Sequence, residues 1–484
     1  MASACGIRRI NKDQDITISD CHSRMSPTGI PLNGSSFNLD SSGVAGFFGG
    51  DEAISAMATV HLYRGRRWWG WYNSPGSYNV AKRFGRLASS RFWNALFPGP
   101  DIDPTAMFEL DGKNGPRYIG SQSGTIINST PYLAYLLSQR CKDLKKERVG
   151  GFRGRATRPE RVTIVKLEDV SCDKAMPRMT MLSMTFACIP ILISAGACAA
   201  CAVWSDWYSS SMILLGMMSS GLSCFVIGSG KLYVDTVQHQ PLAHTRQGDG
   251  MLLGEEIVVL IGKEEAVNVV TKGKFALDLR RSHAWDHSTS STRERDLEKA
   301  ISASEEQPEY RNIGLCSLLL LAQFLLQLLL IPQGTLFGQI MFLSSLAVSW
   351  AYNSFLASLE KEKIQADVLC DVLNKPSMKR YELGTRTMMA VFVTLVLAPS
   401  SPIQFLNELL PNDTAVWRIW KGMVTNRIRH KTLGKLQVEE AQWPGVAMKL
   451  EENDKELLKI LLSDAKTAWD GYNSYNLPSH HEKN

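Results

Sequence analysis

Lysine and arginine are absent from two long stretches of this 484-residue chain. Residues 179–230 and 312–360 contain neither, although the chain has 53 basic residues in all. Each stretch holds one acidic residue, Asp206 in the first and Glu360 at the end of the second. A soluble protein with 21% charged residues would place charge along such stretches to face water, whereas lipid excludes it. The two gaps therefore predict an integral membrane protein.

Signals for other kinds of membrane attachment and for common enzyme classes are also missing. The first residues contain no apolar h-region and no glycine at position 2, so we expect neither a cleavable signal peptide nor N-myristoylation. A nucleophile elbow, an H-E-x-x-H helix and a Rossmann fingerprint are absent as well. We therefore expect insertion through internal spans, no cofactor and no enzymatic activity.

Each charge-free stretch divides at a short polar turn into two apolar segments. A helix needs about 20 apolar residues to cross the hydrocarbon core of a bilayer, and each segment has that length. The fold class that follows is an α-helical integral membrane protein with two transmembrane hairpins and a small cytoplasmic α+β portion. The four predicted spans are residues 181–204, 207–228, 313–331 and 336–355.

The basic residues around these spans predict their orientation. Twelve lie between Arg140 and Arg178, and eleven lie from Lys231 to Arg311, whereas the two hairpin turns carry none. Because cytoplasmic loops are enriched in lysine and arginine, we expect both termini and the middle loop to be cytoplasmic.

A fifth apolar run, residues 388–399, is too short for a typical span. Its dozen residues favour a buried, re-entrant or interfacial helix. The alternative is a five-span protein with an external C-terminus. The glycosylation sequons at Asn33, Asn128 and Asn412 distinguish the two, because a glycan on Asn412 would contradict four spans.

The composition outside the spans divides the rest of the chain. Four strands (161–167, 232–237, 256–261 and 275–279) and a helix (264–271) are expected to form one small sheet with its helix. The predicted domains are a disordered segment 1–60, a cytoplasmic basic and aromatic region 61–178, hairpins 179–230 and 312–356, a cytoplasmic loop 231–311 that ends in a polar linker, amphipathic helices 357–435 that include the non-spanning helix 386–399, and a C-terminal tail 436–484.

Inside the spans, small residues and amides predict helix packing. No ionisable residue lies in an apolar core, which argues against ion-coupled transport. Two small-xxx-small patterns and a pair of glutamines spaced i, i+4 are typical of interhelical contacts, with Ser345 as a further partner. A polar pore is the alternative role. The candidate residues are Gly196, Ala200, Gly216, Ser220, Gln323, Gln327, Ser344 and Ser349.

Basic and aromatic side chains alternate in residues 63–72. Such a stretch can lie on an anionic membrane surface, stack on single-stranded nucleic acid or pack within a small domain. The lipid surface is preferred over nucleic acid because the chain is already membrane-bound. The candidate lipid-surface residues are Arg64, Arg66, Arg67, Trp68, Trp69 and Trp71.

One group of residues has the spacing of a metal site. His283 and His287 are i, i+4 neighbours, and Asp286 lies between them. They would share one face if the segment were helical, but it is rich in serine, so a solvated loop is the alternative. We therefore expect no bound metal.

Five segments resemble a family of multi-spanning membrane proteins of basidiomycete fungi. The segments are DWYSSSMILLG (206–216), FVIGSGKL (225–232), the long run 329–365, LGTRTMMAVFVTLVL (383–397) and LLPNDTAVWRIWK (409–421). The resemblance covers roughly residues 60–430 and implies a multi-spanning fold. It implies no catalytic or binding residue, because no activity is assigned to that family.

Three functions are compatible with these features. The first is a non-enzymatic membrane anchor or scaffold with a cytoplasmic surface for a partner or lipid. The second is an oligomeric channel or facilitator lined by serine and glutamine, and the third is a metal-dependent membrane enzyme. The expected partners are the lipid bilayer and either a second copy of the chain or another membrane protein, with no nucleic acid.

Overall fold

The structure consists of a bundle of apolar helices and a sheet domain that carries helices on both faces. It is a computed structural model. It describes residues 48–88, 91–100, 102–148, 158–168, 170, 179, 181–235, 248–278, 311–430, 432–435, 438–439, 443 and 450–476.

The described part of the chain contains fifteen α-helices. They are α1 (Gly50–Ala58), α2 (Ser77–Phe84), α3 (Arg91–Leu96), α4 (Pro104–Met107), α5 (Tyr132–Lys142), α6 (Met181–Val203), α7 (Trp207–Ile227), α8 (Glu264–Thr271), α9 (Arg311–Leu330), α10 (Leu336–Ala357), α11 (Lys361–Val372), α12 (Arg386–Leu397), α13 (Pro402–Leu409), α14 (Ala415–Arg429) and α15 (Glu452–Asn476).

Helices α6, α7, α9 and α10 form the bundle. Among the described residues, these four are the helices long and apolar enough to cross a membrane. Their ends lie within two residues of the predicted spans, so the prediction of four helices with the length and composition of spans is confirmed. Helix α7 contacts each of the other three and forms the centre of the bundle.

The carboxylate of Asp206 joins the turns of the two hairpins. It caps α7 by accepting hydrogen bonds from the backbone N–H and the hydroxyl of Ser209, at 3.1 and 3.2 Å. It also accepts from the N–H and the hydroxyl of Thr335, at 2.8 and 2.6 Å, in the turn before α10. Asp206 is buried, with 3% of its surface exposed. The residue predicted only as a polar turn therefore connects both hairpins, and we call this set of bonds the turn clamp.

Nine strands are present in the described residues. Seven form one sheet in the order β2-β1-β6-β7-β4-β9-β3, and β5 pairs with β8 separately. The strands are β1 (Arg117–Gly120), β2 (Ile126–Ile127), β3 (Lys146–Arg148), β4 (Glu160–Leu167), β5 (Lys231–Asp235), β6 (Gly250–Leu253), β7 (Ile257–Gly262), β8 (Lys274–Asp278) and β9 (Ser377–Leu383).

Strand β4 lies inside the seven-stranded sheet and is buried on both faces. It pairs in parallel with β7 and antiparallel with β9. Because side chains alternate across a strand, Val162 and Ile164 face one core, formed with α12–α15, while Val165 and Leu167 face the other, formed with α5, α8 and α11. The two edge strands, β2 and β3, are only two and three residues long, which limits pairing with other chains.

Helix α12 explains the fifth apolar run. Ten of its twelve residues are buried, and they pack against β4, β7, β9 and α15. Its apolar composition therefore belongs to the interior of the sheet domain.

The sheet domain differs from the prediction in extent and pairing. All four predicted strands and the helix α8 are present within two residues of their expected ends. The expectation that they form one small sheet is wrong, because β4 and β7 belong to the large sheet whereas β5 and β8 form their own pair. The predicted C-terminal tail contains α15, a 25-residue helix that packs on α12 and α14.

Residues 48–88, here called the inserted segment, lie against the bundle. Helix α1 packs on α10, and α2 packs on α9. Gly76 adopts φ 73° and brings the start of α2 against Gly50 at the start of α1, so the chain folds back on itself. The expectation of disorder up to residue 60 is therefore wrong for residues 48–60. Short helices joined by irregular backbone carry no 20-residue apolar signal.

Candidate functional site

A cleft opens at one edge of the sheet domain, between the β1–β2 turn, the start of β6 and helix α8. Its volume is about 700 Å³, within the range of small-molecule binding sites. Its wall includes two carboxylates and one amine. The polar side chains that line it are Tyr118, Gln122, Ser123, Thr125, Asp249, Glu264, Asn268 and Lys272.

Gly248 determines how closely the two carboxylate-bearing segments approach. A Cβ atom at this position would lie 2.6 Å from Cα of Glu264, so only glycine fits against the first turn of α8. The Gly248 N–H donates to the carbonyl of Gly262 at 2.9 Å, which extends the pairing of β6 with β7 by one step. This contact holds Asp249 and Glu264 on the same wall.

Asp249 is fixed by hydrogen bonds to its neighbours. Its Oδ1 accepts from the N–H of Gly262 at 2.9 Å, and its carbonyl accepts from the N–H and hydroxyl of Ser121, both at 2.9 Å. Burial raises the pKa of Asp249, and the Gly262 hydrogen bond opposes that shift. A half-buried carboxylate that is costly to ionise is typical of sites that gain a cationic partner on binding.

Tyr118 contributes a neutral donor to the cleft. Its hydroxyl donates to the carbonyl of Gly248 at 2.9 Å. Burial, and then the charges of Asp249 and Glu264, raise the pKa of Tyr118, so the phenol keeps its proton. Among the described residues, the lining therefore has two acidic groups against the single amine of Lys272, which favours a cationic ligand.

Sequence reasoning missed this cleft. Asp249 and Glu264 are 15 positions apart and belong to no recognised motif. The available signal was the Gly248-Asp249-Gly250 triplet at the start of a strand, where two glycines indicate close backbone approach around a carboxylate.

The predicted glutamine pair lies in the centre of the bundle, around Asn73 of the inserted segment. Gln323 donates to Gln327 at 3.3 Å, and Gln327 donates to Oδ1 of Asn73 at 3.4 Å and to the carbonyl of Met212 at 3.2 Å. Nδ2 of Asn73 donates to Ser345 at 2.9 Å. These side chains form a buried amide network.

Besides Ser345, two more serines were predicted alongside the glutamines, and they lie in different environments. Ser349 is buried, and its hydroxyl has no hydrogen-bond partner among the described residues. Ser344 is exposed and donates to the carbonyl of Ile340 in its own helix. Of the predicted polar residues, the network thus contains Gln323, Gln327 and Ser345, and Asn73 is the member that was not predicted.

The two small-xxx-small patterns also differ. A Cβ atom on Gly216 would overlap Oδ1 of Asn73 and lie 3.1 Å from Nε2 of Gln327, and Ser220 is buried near it. A Cβ atom on Gly196 would meet nothing within 4 Å, and Ala200 is half-buried. Close packing inside the described chain therefore involves the pattern formed by Gly216 and Ser220.

The basic and aromatic stretch is divided between surface and interior. Arg64 and Trp68 are exposed, and Arg67 lies 5.5 Å from the Trp68 ring centroid. The expectation that Arg66 faces a lipid surface is wrong, because its side chain is 2% exposed and lies inside the bundle.

The two remaining tryptophans of that stretch are half-buried against the bundle. Trp69 packs beside the cluster of Tyr72 and Tyr352. Trp71 covers Gly221 of α7, where a Cβ atom would overlap the indole.

The predicted metal ligands His283, Asp286 and His287 lie outside the described residues. Within the described ranges, no group of three histidine, cysteine or carboxylate side chains could hold a metal ion.

Comparisons with protein-family models, curated proteins and solved structures give no match to this chain. Functional interpretation therefore rests on the geometry of the cleft and the bundle.

Proposed function

We propose that this protein is a membrane-anchored binding protein whose sheet domain binds a small amine-bearing ligand on the cytoplasmic side. The observation that carries the proposal is the 700 Å³ cleft with half-buried Asp249 on its wall. A cationic ligand would offset the cost of ionising this carboxylate, whereas an anionic ligand would add to it.

The composition of the cleft supports binding without chemistry. The described residues that line it include serine and threonine but neither histidine nor cysteine. A hydroxyl is a weak nucleophile unless a base accepts its proton, and among the described residues neither the Ser123 nor the Thr125 hydroxyl donates to Asp249, Glu264 or Lys272, so the lining favours recognition over covalent catalysis. This agrees with the anchor or scaffold function and gives its cytoplasmic surface a defined ligand class.

Removing a carboxylate from the cleft is expected to weaken the binding of a polyamine probe. We expect Glu264→Gln to lower the affinity for spermidine about tenfold, because a hydrogen bond to a charged group contributes about 1.5–3 kcal/mol. Glu265→Gln is the matched control, since Glu265 is exposed and lies outside the cleft. Titration calorimetry on the full chain in detergent measures both, and equal affinity in the two variants would contradict the proposal.

Asp249→Asn is expected to raise thermal stability at neutral pH. Because burial raises the pKa of Asp249, its ionised form costs free energy in the folded state above that pKa. Asparagine keeps an oxygen for the Gly262 N–H and carries no charge. The stability gained by Asp249→Asn over the wild type should disappear below pH of about 4, where the carboxyl of the unfolded wild-type chain is also protonated. Melting temperatures from pH of about 3.5 to about 8 measure this, and a variant less stable than wild type at the upper end of that range would contradict the assignment.

We also propose the orientation in which the sheet domain is cytoplasmic and the hairpin turns lie on the opposite side. The basic residues next to the spans support it. We expect Asn412 to remain unglycosylated although it is exposed in a sequon, and Trp207→Cys to react with an impermeant maleimide from outside intact cells. The wild-type protein gives the background of labelling. A glycan on Asn412, or labelling of the Trp207→Cys variant only after permeabilisation, would reverse the orientation.

A further inference from the structure

A small cavity lies inside the bundle, between the inserted segment and helices α7, α9 and α10. Its volume is about 20 Å³, which is enough for a water molecule or a monatomic ion. Its polar lining includes Arg66, Tyr72, Ser74, Ser77 and Asn353, and none of the described residues that line it is acidic. A cavity with this lining provides donors and positive charge without a counter-charge.

Arg66 supplies the positive charge that lines this cavity. Its guanidinium lies 5.6 Å from the centroid of the Tyr352 ring, and Nη1 lies 3.9 Å from Sγ of Cys224. Its Nε has no hydrogen-bond partner among the described residues, and no described carboxylate lies within 4.0 Å of the side chain. A buried guanidinium without a carboxylate is costly, because neither water nor an anion compensates its desolvation.

Ser77 supplies a second free donor. It is 2% exposed, and its hydroxyl has no hydrogen-bond partner among the described residues. It is the first residue of α2, an eight-residue helix whose preceding residue, Gly76, provides no side-chain cap. The first N–H groups of such a helix carry partial positive charge, so this end of the cavity also favours an anion.

The opposite wall is held in place by hydrogen bonds. The Tyr72 hydroxyl donates to Oδ1 of Asn353 at 2.8 Å, and Nδ2 of Asn353 donates to the Ser74 hydroxyl at 3.1 Å. These bonds fix residues 72–74 of the inserted segment against α10. The cavity is therefore preorganised, and an occupant needs no rearrangement of this wall.

We propose that this cavity binds one chloride ion, with Arg66 as its counter-charge and the Ser77 hydroxyl as a donor. A monatomic anion fits the volume, whereas a phospholipid headgroup does not. A water molecule could satisfy Ser77 but would leave the charge of Arg66 uncompensated. The ion would hold the inserted segment to the bundle close to the end of α7, since Cys224 precedes its last residue by three positions.

The test is thermal unfolding of the full chain in a neutral detergent, in sodium chloride and in sodium gluconate at matched ionic strength. Gluconate is too large for the cavity, so we expect chloride to raise the melting temperature by about 2–6 °C and to saturate. Arg66→Gln should remove this response. Arg64→Gln, the same change at an exposed position, should keep it.

Ser77→Ala keeps the proposal testable if Arg66→Gln fails to fold. Because the Ser77 hydroxyl binds no described group, the variant should fold. The chloride concentration that gives half of the full rise in melting temperature, the half-response, should increase about tenfold. Equal unfolding in chloride and gluconate would overturn the proposal, as would an unchanged half-response in Ser77→Ala. A response to phosphatidylglycerol micelles without one to chloride would overturn it in favour of a lipid phosphate.

Discussion

Gly216→Ala is expected to disrupt the centre of the bundle, whereas Gly196→Ala should leave it intact. Both glycines lie near the middle of an apolar helix, and both begin a small-xxx-small pattern. A methyl group added at Gly216 would overlap Oδ1 of Asn73 and lie 3.0 Å from its Cγ. A methyl group added at Gly196 would meet nothing within 4 Å.

The loss of stability expected for Gly216→Ala comes from disruption of the amide network. Asn73 is fully buried, and it connects the inserted segment to Ser194, Ser345 and Gln327. If the methyl group displaces Asn73, several buried polar groups lose their partners, and each lost partner costs about 1–3 kcal/mol. We therefore expect Gly216→Ala to lower the free energy of unfolding by about 3 kcal/mol or more.

Unfolding of the two variants in mixed micelles of mild detergent and dodecyl sulfate measures this difference. Since both changes add one methyl group and both favour helix formation, helix propensity cannot separate them. Equal stability of the two variants would show that Asn73 does not lie against α7. A larger loss in Gly196→Ala would instead locate the close contact on the outer face of α6, where a second copy of the chain could pack.

The four apolar helices could be predicted because a run of about 20 uncharged, apolar residues is a strong signal in a sequence. Soluble helices rarely exclude charge over about 20 residues, and the two polar turns fixed the ends of the spans. The inserted segment gives no such signal. Its residues, such as Arg66 and Asn73, have the composition of a surface, and the polar groups of Asn73 are satisfied by side chains more than 100 positions away.

The sheet domain was predictable in its elements and not in its pairing. Strands β4 and β7 are rich in β-branched residues, but they are separated in sequence by the whole hairpin of residues 179–230 and pair in parallel. Local pattern does not specify which distant strand is the neighbour. The same limit applies to the cleft, because Tyr118, Asp249 and Glu264 meet only after β1 has paired with β6.

Asp206→Ala is expected to produce the second large effect, by removing the turn clamp. The change leaves the backbone N–H groups of Ser209 and Thr335 without their carboxylate acceptor, and it removes the link between the two hairpins. From the cost of unpaired buried groups, we expect a loss of about 3–5 kcal/mol in the free energy of unfolding. Asp206→Asn should lie between wild type and alanine, since one oxygen remains to accept.

Asp103 provides the matched control for this change. It also caps a helix, and its Oδ1 accepts from the N–H and the hydroxyl of Thr105 at 2.9 and 2.6 Å, but it joins no second element through these bonds. Asp103→Ala should therefore cost only about 1 kcal/mol, the usual value for an N-cap. Equal losses at the two positions would mean that Asp206 acts as an ordinary cap.

Gly338→Ala tests the geometry of the turn clamp in a second way. A Cβ atom on Gly338 would overlap Oδ2 of Asp206 and lie 2.7 Å from its Cγ. It would also overlap Oγ of Ser209, a hydroxyl that can rotate once the Asp206 carboxylate to which it donates is gone. The change should therefore destabilise the Asp206→Ala background less than it destabilises the wild-type protein. The same double-variant comparison distinguishes a direct contact from two independent losses, since independent losses would add in full.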